Sequence, residues 1–245
     1  MHLKTAASIL ALGLVALGSS SALAASVSTV GSATYDGSTI QLNNDYTQSG
    51  AAWLTTAFST SQSFVATFSF SLNATSEYPM ADGISFALQN IGTSALGQGG
   101  GFVGYGGLNA VGSVVQSWVN NTAGLNIDGN PYNTQAAPAN LGNASYVLGN
   151  QTVSYNAGTS LLTMTGTLNV DGTIYNISDS KTINLADRFG STFYAGFTGG
   201  TGASTADQKI TAFSVTAVPE PESYALMMAG LGLLGAIARK RNKAV

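Results

Sequence analysis

Between Ser26 and Ala217 few side chains can do chemistry. The segment holds eight aspartates, one glutamate (Glu77) and three cations (Lys181, Arg188 and Lys209), with no histidine and no cysteine. The chain's one histidine, His2, sits in an N-terminal stretch that reads as a targeting segment. Ser-His-Asp triads, HExxH zinc sites, imidazole acid–base catalysis and cysteine nucleophiles are therefore excluded. Glycoside hydrolysis by the common route needs two carboxylates flanking one bond. Glu77 lies on a loop beside Pro79, and no two aspartates form a paired motif on a strand. These residues point to a protein that is not an enzyme. Nine acids against three bases give this region a net charge of about −6, which argues against nucleic acid and anionic membrane surfaces.

Four features remain: Asp82 before Gly83, Trp118, Asn120-Asn121, and seven glycines within Gly97–Gly107. Each has a plain reading. Asp82 could end a strand or make a turn, Trp118 could be core, and Asn120-Asn121 could cap a turn. The glycine run must be a loop, and its backbone can approach a ligand closely because no Cβ intervenes.

The elements that must position these residues are strands. Residues 26–217 are long enough for one domain with a sizeable core. No segment there has a convincing helical period, and period two recurs instead. Phe64, Ala66, Phe68, Phe70 and Leu72 alternate with Ser63, Val65, Thr67, Ser69 and Ser71. Ile84, Phe86 and Leu88 form a second row, and Phe193, Ala195 and Phe197 a third. Val153 and Tyr155 lead through Ala157-Gly158-Thr159 to Leu162, Met164 and Leu168, and Asp171-Gly172 is a hairpin signal. Phe213 and Val215 end the pattern. Short alternating strands with Gly, Asn and Ser turns predict an all-β sandwich or jelly roll.

The ends read as addresses. Residues 1–25 have the parts of a secretory signal peptide: Lys4, the apolar run Ala6–Leu17, and an Ala22-Leu23-Ala24 cleavage site. An uncleaved anchor is the alternative. At the other end, Val218-Pro219-Glu220-Pro221-Glu222 precedes an apolar run from Tyr224 to Ala238 and the basic cluster Arg239-Lys240-Arg241-Asn242-Lys243. Fifteen helical residues cover about 22 Å against a bilayer core of about 30 Å. The order of Pro219-Glu220-Pro221, short apolar helix and basic tail resembles the PEP-CTERM sorting signal of Gram-negative bacteria; a plain tail anchor is the alternative. The resemblance implies export, handling by an exosortase, a transient membrane association through 224–238, and a place at the cell surface or in an exopolysaccharide matrix.

Within the middle segment, several motifs fall in the order found in legume-type (L-type) lectins. They are Gly31-Ser32-Ala33-Thr34 with Ile40-Gln41-Leu42, Ser49-Gly50-Ala51-Ala52-Trp53, Phe64–Phe70, and Ala81-Asp82-Gly83-Ile84-Ser85-Phe86. Further along come Gly99–Gly104, Gly196–Gly202 and Ile210–Val215. The resemblance spans nearly all of 26–217. It implies a concanavalin-like jelly-roll β-sandwich flanked by the signal peptide (1–25) and the sorting segment (218–245). It also implies sugar-binding loops on one edge, a cis bond between Ala81 and Asp82, and a back sheet able to pair in a homodimer. A pyranose offers hydroxyls that both donate and accept, and an apolar C–H face. By the resemblance, Asp82 accepts from the sugar, Gly100 or Gly101 donates a backbone N–H, Asn120 adds an amide, and Trp118 stacks. Ala203 and Ser204 stand where the family tunes monosaccharide choice.

The sequence departs from the family at its metals. The family carries an acid-x-acid pair for calcium and a transition metal, and here Val114 and Gln116 occupy those places. Asn120 and Asp128 are the weak calcium candidates left, a poor set for an ion that takes six to eight oxygens. No histidine lies downstream of Asn120 for the second metal. The expected function is an exported, non-catalytic carbohydrate-binding protein, with a non-binding structural matrix protein on a degenerate lectin fold as the alternative.

Overall fold

The computed structural model describes residues 26–75, 79–118, 120–218, 227–234 and 239. Two antiparallel sheets stack face to face. The front sheet runs in the order β1 (Val27–Gly31), β4 (Ser49–Leu54), β13 (Thr192–Gly200), β7 (Gly83–Gln89), β8 (Val111–Gln116), β9 (Thr122–Asn126), with β5 (Phe58–Ser59) attached to β13. The back sheet runs β12 (Thr173–Thr182), β11 (Leu161–Val170), β10 (Tyr146–Asn156), β6 (Ser63–Ala74), β14 (Ala206–Val218), β3 (Ile40–Asn43), β2 (Thr34–Tyr35). The all-β sandwich expected from the alternation is the fold observed.

The pleat explains the packing. Successive side chains of a strand face opposite sides, so Phe64, Ala66, Phe68, Phe70 and Leu72 of β6 are all buried against the front sheet. Phe68 holds the two layers together: its ring stacks on Phe86 of β7 at 5.5 Å and meets Phe197 of β13 edge-on at 5.2 Å. Such ring pairs stabilise beyond their buried area. The turn at Asp171-Gly172 has positive φ at both residues (47° and 92°), as a two-residue hairpin closing Val170 on Thr173 requires.

The front sheet is covered on its second face too. Val103, Tyr105, Leu108 and Ala110, from and just beyond the glycine run, pack on Ala51, Trp53, Ala87 and Val114 as a separate small core. The Trp53 indole N–H donates to Ala95 O at 2.8 Å. The Thr198 hydroxyl donates to Val103 O at 2.7 Å, pinning the loop to β13. The glycine run is thus a loop, as expected, but a packed one with a 3-10 turn at Gly100–Phe102.

One expectation needs correction. The domain is not free of helix: α1 (Leu185–Phe189) forms, with Asn184 Oδ1 accepting from the Ala186 and Asp187 N–H groups as its N-cap. Five residues are too few to print a helical period. Residues 227–234 are helical, within the expected apolar run. The signal peptide, Glu77, and Pro219, Glu220 and Pro221 lie outside the described residues. Among the described residues no helix is long and apolar enough to cross a membrane.

Phe68→Ala removes the ring that joins both sheets. It is expected to destabilise the domain by about 3–5 kcal/mol, read as a lower urea midpoint with an unchanged slope.

Candidate functional site

The site is built where β7 begins. The Ala81–Asp82 peptide bond is cis, as the resemblance implies. The Asp82 N–H donates to Gly200 O at 3.1 Å, and the Asp82 carbonyl accepts from Ser117 N–H at 2.8 Å and Trp118 N–H at 3.4 Å. The backbone is therefore tied to β13 and to the end of β8. Gly83, at φ +145°, lets β8 close in: a Cβ there would lie 2.2 Å from Val115 O. Only a residue without a side chain fits this approach.

The Asp82 side chain is in the opposite situation. The residue is 4% exposed, and its Oδ2 is buried with no hydrogen-bond partner. Two glycines cradle that oxygen: a Cβ on Gly202 would stand 3.3 Å away, and one on Gly100 3.9 Å. The Gly100 and Gly101 N–H groups, at the start of the 3-10 turn, have no acceptor among the described residues. A buried charged oxygen without a partner is costly. Burial accordingly pushes the Asp82 carboxyl up from 3.8 to about 6.

One further residue belongs here and was not found from the sequence. Tyr132 packs its phenol against the glycine turn, so that a Cβ on Gly101 would lie 2.5 Å from Tyr132 Oη. Its ring meets that of half-exposed Phe102 edge-on at 5.0 Å. Burial and the Asp82 charge both raise its hydroxyl above the ordinary tyrosine value. Nothing in the Asn130-Pro131-Tyr132-Asn133 loop sequence announces this.

The other expected residues divide. Asn120 is exposed, and its Nδ2 donates to Tyr132 O at 3.4 Å, which joins it to the Asp82–glycine cluster through Tyr132. Trp118 is 41% exposed, whereas the core tryptophan is Trp53 at 0%. Its backbone touches Asp82, and it lines a neighbouring cavity with Asn121, Asn140 and Asn143. Ala203 is exposed and Ser204 buried in the tight 201–205 loop beyond Gly202, where Ser204 O accepts from the Gly202 N–H at 3.2 Å.

The donors do not fit the family's metals. Val114 is packed in the small core under the glycine loop. Gln116 is fully buried, with its Nε2 donating to Gly101 O. Asp128, the weak calcium candidate, points into its own loop. There Asn126 Nδ2, Asn130 N–H and Asn133 Nδ2 donate to its carboxylate at 2.7–2.8 Å. Partial burial works against its charge, but these donors outweigh it and hold the carboxyl below its ordinary value. Asn120, the other candidate, holds Tyr132 O through its Nδ2 and brings a single amide oxygen, with no carboxylate beside it to complete a calcium set. Among the described residues no group of three or more acids or histidines could hold a metal ion.

Comparison with known proteins agrees with the fold. The family model described as legume lectin domain matches residues 1–226, and that of the PEP-CTERM protein-sorting motif matches residues 217–242. Among solved structures, a lectin from Bauhinia forficata in complex with GalNAc superposes with a TM-score of 0.63 at 22% identity, covering 78% of this chain and 92% of that one. Peanut lectin gives 0.66 at 20% identity, over 82% and 95%. Arcelin-5, a lectin-like defense protein from Phaseolus vulgaris, gives 0.66 at 17%, over 79% and 93%.

The raised Asp82 carboxyl has a consequence for stability. Between pH 3.8 and about 6 the folded chain holds a proton that the unfolded chain has lost, so stability falls as pH rises through this window. The deficit persists at neutral pH and is on the order of 1–3 kcal/mol. Asp82→Asn is therefore expected to raise the melting temperature at pH 7.5 by roughly 2–8 °C and to change it little at pH 4, as read by calorimetry.

Proposed function

From the premise that this chain belongs to the legume lectin family, which is non-catalytic, we propose that residues 26–217 are an exported domain that binds a neutral carbohydrate at Asp82 without a metal ion. The PEP-CTERM motif marks the chain as an exported, exosortase-sorted surface protein, so the ligand is a glycan of the cell surface or surrounding matrix.

The observation that carries this reading is the buried, partnerless Asp82 Oδ2 between two glycines. An ionised carboxylate there accepts hydrogen bonds from two sugar hydroxyls, and charge-assisted bonds of this kind are the strong ones. The free N–H of Gly100 or Gly101 donates to a sugar oxygen. Tyr132 adds a phenol hydroxyl beside the same turn, and Asn120 keeps its amide oxygen for the ligand. Exposed Trp118 offers an aromatic face for the apolar side of the ring. Ala203 and Ser204, beyond Gly202, shape the edge that selects the monosaccharide. No group in this set needs a cation to hold it, because Gln116 ties the glycine turn to β8 directly.

The test is binding of the full chain to an array of neutral mono- and oligosaccharides, with added calcium and with chelator. The expected result is saturable binding, equal in both conditions, that weakens as pH falls through about 6. Asp82→Asn should weaken it by about ten- to a hundredfold, the worth of hydrogen bonds to a charged group. Absence of binding by the folded wild-type chain would instead favour a structural role in the surface matrix.

A further inference from the structure

The chain enters and leaves the sandwich at one pole, and Asp82 lies at the other. β14 starts at Ala206, just beyond the Gly202 that cradles the Asp82 carboxylate, and pairs there with Ala74. It ends at Val218, opposite Ser63. Its 13 residues, at about 3.3 Å each, carry the chain about 40 Å away from the site. β1 also starts at the far pole: Val27 pairs with Leu54, and the Thr55 N–H donates to Ser26 O at 2.9 Å. The other end of β1, Gly31, lies opposite Gly50, which pairs with Gly199 next to the site.

The exit at Val218 is open. β3 accompanies β14 only over Gln208–Ile210, and Thr216, Ala217 and Val218 are exposed. The next residues in sequence are Pro219-Glu220-Pro221, inside the stretch that matches the sorting motif. Only Pro219 to Ser223 separate the strand end from the apolar run that opens at Tyr224. Five residues reach at most about 18 Å in any conformation. That is less than half the length of β14. The domain therefore cannot invert to press its Asp82 pole on a membrane that holds residues 224–238.

We infer that the domain is held by its far pole and presents the Asp82 site outward, so that it grips a neutral glycan polymer of the surrounding matrix and not sugars of the membrane that carries it. The inference rests on the carbohydrate reading above and on attachment through the sorting segment. The two tasks of the chain then sit at opposite ends of one strand. β14 begins at the loop that frames the sugar and ends at the motif that sorts the protein. A bound polymer stands clear of the sorting end, so both ends can be engaged at once.

The experiment places the full chain on vesicles of phosphatidylcholine and phosphatidylglycerol that carry rhodamine headgroups. The chain has no cysteine, so Ser61→Cys and Thr173→Cys each give a single dye position. Ser61 is exposed next to Ser63 at the far pole. Thr173 is exposed at the Asp82 pole, in the hairpin where Val170 pairs with it and with Val147. The expected result is energy transfer to the membrane several-fold stronger from position 61 than from position 173. Soluble neutral glucan, mannan or galactan should also agglutinate vesicles carrying the wild-type chain, and Asp82→Asn should abolish agglutination while leaving the transfer unchanged. Equal or reversed transfer, or no association with the vesicles, overturns the outward orientation and leaves the Asp82 reading intact. So does a vesicle-bound chain that takes glucose, mannose or galactose but excludes the matching polymer. The expected transfer with no saccharide bound by the folded chain overturns the carbohydrate reading instead, and the grip on polymer with it.

Discussion

A carboxylate oxygen with no partner, buried where the inner strand β7 of the front sheet begins, is the constraint around which this structure is arranged. Asp82's own peptide groups are satisfied: its N–H by Gly200, its carbonyl by Ser117 and Trp118. Its side chain is not. That asymmetry needs three segments of backbone to come close without side chains of their own. Gly83 admits β8, and Gly100 and Gly202 cradle the carboxylate. A side chain on either cradling glycine would fill the space next to the oxygen. Stability is given up at this point, and in the proposed function a sugar hydroxyl restores the missing hydrogen bond.

The loops around Asp82 are held by bonds within the chain. The donors required for two metal ions are gone, and what stands in their place has other work. Val114 packs under the glycine loop, Gln116 bonds Gly101, and Asn120 bonds Tyr132. Asp128 organises the 126–133 loop that carries Tyr132. An amide can replace a cation as a tie between backbone segments because both engage carbonyl oxygens. An amide on the chain cannot be lost to a chelator.

Much of the fold was legible because strand chemistry is local. The rows Phe64–Leu72 and Phe193–Phe197 alternate, and a pleated strand must put them on one face. Asp171-Gly172 announces a hairpin because few residue pairs accept its backbone angles. The second small core was not legible. Val103 and Tyr105 sit among glycines with no period, and their partners Ala51 and Trp53 lie far off in sequence. The five-residue helix at Leu185 is shorter than any helical repeat can reveal. At the site, Asp82 and the glycine turns were found from motif order, and their proximity is seen in the structure. Tyr132 was missed because only the tertiary path of the 126–133 loop brings it to Gly101, and a lone tyrosine in a polar loop carries no signal of that.

The central claim is that Asp82 waits, ionised at neutral pH and unpartnered, for a sugar hydroxyl. The most direct measurement is a carbon-13 NMR titration of the Asp82 carboxyl, with and without a saturating neutral saccharide. The account predicts a midpoint near 6 in the free protein, moving down when sugar is bound, because a ligand that favours the charged form must lower the pKa by linkage. A midpoint near the ordinary aspartate value, unmoved by any saccharide, would contradict it.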